Sequence, residues 1–386
     1  MLVACLNNIS QIGLDKLSKT YQVTTSVEDA SLLLVRSFNM LEMDVNQNVL
    51  AIARAGAGVN NIPLEKMAKQ GIVVFNTPGA NSNGVKELVI AGLLLASRDI
   101  ISGVNWVKAH NDDELILKSI EKAKQAFGGT EILGKTIGVI GLGAVGGKVA
   151  QACFDLGMNV IGYDPFLSEE ARVLLPQEIN IVSTLDEVYF NSDFISLHLP
   201  LLDSTKHMIN KNVFAKMKKG LTILNFSRDQ LVDDDQLKTA MEQGIIHKYV
   251  TDFPNYKTSN MENVICIPHL GASTVESEDN CAVMAVLELR KFIEEGNIEH
   301  SVNFPNLDAG VKTSKGRVLL LHQAKELINE FMSVLSKTSS SNEVINLVIK
   351  TKGNYGATLI DLSQEISEET LNAFMGIEGV IKVRII

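Results

Sequence analysis

The sequence predicts an α/β protein built from two doubly wound parallel-sheet domains and a small C-terminal ferredoxin-like βαββαβ domain. Three observations carry this. A glycine-rich strand–turn–helix lies in mid-chain, short apolar runs alternate with helical stretches on both sides of it, and residues 317–386 change cadence.

The mid-chain segment 136–165 reads TIGVIGLGAVGGKVAQACFDLGMNVIGYDP. An apolar strand at 137–140 runs into Gly141-x-Gly143-x-x-Gly146, an amphipathic helix follows, and a second strand at 159–163 ends at Asp164. Gly141 permits the tight turn, Gly143 lets a pyrophosphate approach bare backbone, and Gly146 lets helix pack close on strand. The helix then begins with unpaired N–H groups and a partial positive charge facing the phosphates. Asp164 stands 21 residues beyond Gly143, where a carboxylate bonds ribose hydroxyls and repels a 2′-phosphate. The segment therefore predicts dinucleotide binding, with NAD as the cofactor rather than NADP.

Upstream, apolar runs at 32–35, 49–53 and 72–75 read as buried parallel strands, with a short helix at 63–70 and a long apolar helix at 84–96. An α/β unit ahead of the glycine motif implies a second domain and a cleft between the two. Downstream, strands are expected at 179–182, 194–199, 222–225 and 264–267, and helices at 185–190 and 233–243. A long helix at 273–295 could carry the chain back to the first domain, and 296–316 reads as a linker. The tail reads as strand 317–321, helix 325–335, strands 342–350 and 356–362, helix 368–375 and strand 380–386, with a loop at 338–341.

The net charge of −10 argues against nucleic acid as a partner, while a local arginine cluster would still serve a small anion. Cys5, Cys153, Cys266 and Cys281 show no metal-ligand spacing, so reduced thiols and no metal are expected. No apolar run reaches membrane-spanning length and no basic region precedes a hydrophobic one, so a cytoplasmic protein without membrane contact is expected.

Polar residues appear where strands should end: Arg228, Asp252 and His269 in the second half, Arg36 and Arg54 in the first. Hydride transfer from an alcohol carbon needs a base for the hydroxyl proton, which histidine suits. It also needs a fixed cation for the substrate's carboxylate or carbonyl, which arginine suits. Arg228 and His269 are the candidate catalytic pair, and Arg36 and Arg54 the candidate anion holders.

Together these residues resemble the D-isomer-specific 2-hydroxyacid dehydrogenases, and within them the branch acting on D-3-phosphoglycerate. The markers are VRS at 35–37, ARAGAGVNNI at 53–62, VVFNTPGANS at 73–82, IGVIGLGAVGGKVA at 137–150 and PHLGAST at 268–274. The resemblance implies an NAD domain inserted into a discontinuous substrate domain: substrate domain 1–95, NAD domain 96–283, a return segment 284–305, and an ACT-like domain 317–386. It implies that Arg36, Arg54 and backbone groups at Ala57, Gly58 and Val59 bind a small anionic hydroxy or keto acid. It implies NAD contacts at Ala57, Ala144, Val145, Asp164, Leu199, Phe226, Ser227, Asp252 and Gly271, beside Gly141, Gly143 and Gly146. Oxidation of D-3-phosphoglycerate is the expected reaction. Another D-2-hydroxy acid, or a non-catalytic NAD-sensing role, is the alternative. A homodimer or homotetramer is expected, paired through an exposed sheet in the tail.

The chain departs from the family twice. Members orient the histidine with a glutamate in a segment resembling DVFxxEP; here Asp252-Phe253-Pro254-Asn255-Tyr256-Lys257 has none. Another acid, or Tyr256 through water, is expected to orient His269. In the tail, His322-Gln323-Ala324-Lys325-Glu326-Leu327 lacks the asparagine, proline and glycine of amino-acid-binding versions, so weak or absent serine inhibition is expected.

Overall fold

A computed structural model describes residues 1–338 and 342–386. The loop expected at 338–341 therefore lies outside the described residues, except for Thr338, which closes a helix (Ile328–Thr338). The chain divides into two compact units, one formed by Met1–Asn81 with Val275–Ile386 and the other by Ser82–Thr274.

The first unit opens with five strands, β1 (Leu2–Cys5), β2 (Gln22–Thr24), β3 (Leu32–Val35), β4 (Ala51–Arg54) and β5 (Val73–Phe75). They form one parallel sheet in the order β2-β1-β3-β4-β5. The order reverses between β1 and β3, so the loops leaving their carboxyl ends flank a topological switch point, where doubly wound sheets bind ligands. β3 is buried along its whole length, as a strand covered on both faces must be.

The second unit holds β6 (Thr136–Ile140), β7 (Asn159–Tyr163), β8 (Asn180–Ile181), β9 (Phe194–Leu197), β10 (Leu221–Asn225), β11 (Ile246–Thr251) and β12 (Val264–Cys266). Their parallel order is β12-β11-β10-β9-β6-β7-β8, the doubly wound dinucleotide topology. Its switch point lies between β6 and β9, where the glycine motif sits.

The unit boundaries differ from the expected 95/96 and 283/284. Helix Ser82–Ser97 buries Val85, Val89, Leu93 and Ala96 with Val139, Val149, Phe226 and Val250, and so belongs to the second unit from its first turn. Helix Val275–Glu295 buries Cys281, Ala282, Ala285, Val286, Leu289 and Phe292 in the first unit's core, so the return begins at 275. Apolar spacing along each helix places it on one sheet for its full length.

Residues 316–385 form a four-stranded antiparallel sheet of β13 (Gly316–Gln323), β14 (Val344–Lys352), β15 (Tyr355–Leu362) and β16 (Val380–Ile385), ordered β14-β15-β13-β16. Helices Ile328–Thr338 and Glu368–Met375 cover one face through Phe331, Leu335 and Phe374 against Val318, Leu320, Ile360 and Leu362. The other face was expected to be exposed and is not. Leu319, Leu321, Tyr355, Ala357 and Leu359 share a core with Phe292, Ile298, Phe304 and Leu307. Both faces of β13 and β15 are therefore buried, while the edge strands β14, with Ile345, and β16, with Ile385, meet solvent. Buried Arg317 fixes this sheet further: it pairs with Asp361 at 2.6 Å and donates to the carbonyls of Glu295, Ala309 and Gly310.

Among the described residues no helix is long and apolar enough to cross a membrane.

Candidate active site

In the second unit the glycine motif adopts the geometry that its residues require. Gly141 has φ +89°, and a Cβ there would lie 2.4 Å from the His198 carbonyl oxygen. A Cβ on Gly146 would lie 1.8 Å from the Gly141 carbonyl oxygen, so only glycine lets helix Gly146–Asp155 start against the turn. A Cβ on Gly143 would meet nothing within 4 Å, so that backbone faces open space. Ala144 and Val145 lead into the helix N-terminus. Asp164, at the end of β7, accepts from Leu142 N–H and from Phe166 N–H, each at 2.9 Å, which fixes its carboxylate beside the turn.

Leu199, Phe226, Ser227, Asp252 and Gly271 follow the carboxyl ends of β9, β10, β11 and β12. Ser227 Oγ donates to the Leu197 carbonyl at 2.6 Å. The Phe226 ring is buried against helix Ser82–Ser97, where a Cβ on Gly92 would come within 2.7 Å of it, so only its backbone can face a ligand. His198 bonds Ser196 Oγ at 2.8 Å, and desolvation pushes its pKa down to about 3; it is neutral and structural.

Arg228 and His269 are brought together around one ring. The Arg228 guanidinium lies 5.5 Å from the centroid of Phe253, and the His269 ring centroid lies 4.5 Å from the same ring. Arg228 Nη1 donates to the Ser227 carbonyl at 2.6 Å, and buried Asn225 donates to the Arg228 carbonyl at 2.8 Å. Phe253 and Asn225 are positioning residues that sequence reasoning missed. Tyr256 is 88% exposed, so it is not packed within this cluster.

Asp252, an acid acted on by the charges of both His269 and Arg228, is 1% exposed. Its Oδ2 accepts from Gly271 N–H at 3.0 Å, while its Oδ1 is buried with no protein partner. Burial raises its pKa, opposed by the Gly271 N–H and by the charges of His269 and Arg228. An orphaned buried carboxylate oxygen calls for a donor from outside the chain. With the open backbone at Gly143 and the fixed Asp164, the residues fit a dinucleotide: the turn for pyrophosphate, Asp164 for ribose, Asp252 for an amide-bearing ring.

The first unit carries the remaining candidates. Asn7, in the loop after β1, accepts through Oδ1 from the backbone N–H groups of Arg36, Ser37 and Phe38 at 3.1, 3.1 and 2.8 Å. The Arg36 carbonyl accepts from Arg54 Nε at 3.1 Å. Arg54 lies over Gly56, whose Cβ would fall 2.2 Å from its Nη1. The Ala57, Gly58 and Val59 loop is held by Asn76 Nδ2 donating to the Ala57 carbonyl and by Gly56 N–H donating to Thr77 Oγ1. Arg36 pairs with Glu278 at 2.7 Å. Among the described residues no cluster of His, Cys, Asp and Glu could hold a metal.

Residues 90–271 match the model of the D-isomer-specific 2-hydroxyacid dehydrogenase NAD-binding domain. The chain is 35% identical over 277 residues to hydroxypyruvate reductase of Thermotoga maritima, covering 69% of this chain and 85% of that protein. It is 33% identical over 333 residues to D-3-phosphoglycerate dehydrogenase of Methanocaldococcus jannaschii, covering 84% of this chain and 61% of that protein's length. The NAD⁺-bound 3-phosphoglycerate dehydrogenase of Entamoeba histolytica superposes with a TM-score of 0.62 at 27% identity, over 78% of this chain and 98% of that one. The chain belongs to the D-isomer-specific 2-hydroxyacid dehydrogenase family.

Proposed function

We propose that the protein is an NAD-dependent dehydrogenase interconverting D-3-phosphoglycerate and 3-phosphohydroxypyruvate. The observation that carries this is the Arg228–Phe253–His269 cluster beside the half-satisfied carboxylate of Asp252. In this reading Arg228 binds the substrate carboxylate and polarises the reacting carbonyl. The His269 imidazole takes the hydroxyl proton in oxidation and returns it in reduction. Phe253 keeps both side chains at a fixed distance where members of the family use a glutamate to orient the histidine. Bound NAD supplies the hydride acceptor. Arg36 and Arg54 take the substrate's second anionic end, and the loop at Ala57, Gly58 and Val59 takes carboxylate oxygens. The C-terminal sheet is read as ACT-like, with its turn at Gln323, Ala324 and Lys325 lacking the groups that hold an amino acid.

The Arg36–Glu278 ion pair favours a second reading, reduction of unphosphorylated hydroxypyruvate, because it already neutralises one of the two arginines. NADH oxidation with 3-phosphohydroxypyruvate and with hydroxypyruvate separates the two. The first reading expects kcat/KM to be greater for the phosphorylated acid, and a greater value for hydroxypyruvate selects the second. No turnover of either acid would remove both.

A further inference from the structure

We propose that Glu278 is a specificity-determining residue, an internal counter-ion that sets how strongly the protein favours substrates with a distal anion. The inference rests on the reading that Arg36 receives that anion.

Arg36 follows β3 and Asn7 follows β1, so the pair sits at the switch point of the first sheet. The Arg36 loop is tied to the first sheet by the three N–H groups that donate to Asn7. Its guanidinium reaches Glu278, in the first turn of helix Val275–Glu295, at 2.7 Å. That helix is itself fixed. Ser10 Oγ bonds Asp279, and Gly13 lies so close that a Cβ would fall 2.5 Å from that of Ala282. Both partners therefore stand on anchored backbone, and only their side-chain ends can separate.

The side chains are 37% and 42% exposed, so the pair is open to a competing anion from solvent. Cys281, one turn further along the helix, lies within the field of Arg54, Arg36 and Glu278. A phosphate bearing nearly two charges must take Arg36 from Glu278 and then sit beside the displaced carboxylate. A substrate without a distal anion meets neither cost. Glu278 thus lowers selectivity for phosphorylated acids below what two arginines alone would give.

The test is the dissociation constants of D-3-phosphoglycerate and D-glycerate, measured by calorimetry on the full chain with NADH present. The proteins are wild type, Glu278→Gln, Glu278→Asp and Arg36→Gln. Replacing the acid by its amide is expected to raise the preference for the phosphorylated ligand about fivefold, the scale of a partly exposed ion pair plus one repulsion removed. Glu278→Asp, which keeps the charge on a shorter arm, should fall between wild type and Glu278→Gln, and Arg36→Gln should lower the preference. If Arg36→Gln lowers it but Glu278→Gln does not raise it, the counter-ion role is overturned while the arginine reading stands. If Arg36→Gln leaves it unchanged, or neither ligand binds, the arginine reading falls and the counter-ion role falls with it.

Discussion

The backbone N–H of Gly271 donates to the carboxylate of Asp252 at 3.0 Å, tying the loop that carries His269 to the end of β11. The same carboxylate keeps its other oxygen buried and unpartnered. Asp252→Asn can retain the first bond while presenting an amide N–H where an acceptor stood. NADH affinity should fall about tenfold, the scale of one buried hydrogen bond replaced by a donor–donor clash. Fluorescence titration of NADH reads this directly; an unchanged dissociation constant would show that Oδ1 meets no cofactor donor.

His269→Ala should reduce kcat for 3-phosphohydroxypyruvate reduction by about 10²–10⁴-fold, the span of general acid–base contributions. NADH binding should stay within about twofold, because no proton moves on binding. Arg228→Lys keeps the charge but loses the fork, so kcat/KM should fall by about 10²-fold or more. Steady-state kinetics on the three proteins check the assignment, and a His269→Ala enzyme with near-wild-type kcat would end it.

Asp164 is held by two backbone N–H groups. Asp164→Asn keeps an acceptor for only one of them and removes the charge that repels a 2′-phosphate. The ratio of NADH to NADPH affinity should fall about tenfold. Competitive binding of the two nucleotides measures it.

Glu288 is buried, bonds His300 Nδ1 at 2.8 Å and has its pKa raised to about 9 by desolvation and by Glu299. The folded state holds this proton where an unfolded carboxyl, near 4.5, has lost it. The proton-linked stability is therefore complete below about pH 4.5 and is lost as pH rises through about 9. Glu288→Gln, which needs no proton to stay neutral, should match wild type at low pH and gain on it above. The gain at pH 8 should be several kcal/mol, with about 5 kcal/mol as the upper bound. Urea unfolding at two pH values tests the sign.

Arg317 and Asp361 form a buried pair reinforced by three carbonyls. Arg317→Met strands the carboxylate and should cost about 3–5 kcal/mol in chemical unfolding. Adding Asp361→Leu should restore only part of that loss, because it removes the stranded carboxylate but returns no donor to the three carbonyls.

Periodicity and glycine spacing made most of this architecture legible. The runs at 32–35 and 194–197 and the helix Glu368–Met375 carry patterns that admit little else. β11 was missed because His247 and Lys248 interrupt its apolar run, and β1 and β2 because their runs are short and partly exposed. Arg228 and His269 were readable because each follows an apolar strand. Asn225 read as a strand end, and nothing local marked Phe253 or Glu278. Their roles depend on partners brought close by folding, which no local pattern encodes. The buried second face of the C-terminal sheet was hidden similarly: alternation marks an apolar face but not what covers it.

Helix Val275–Glu295 has 21 residues and is about 31 Å long at 1.5 Å per residue. Its first turn presents Glu278 to Arg36, and its last turns seat Phe292 in the core that also holds Leu319, Leu321 and Leu359. The C-terminal sheet and the Arg36 loop thus rest on opposite ends of one helix, which gives the two a shared scaffold.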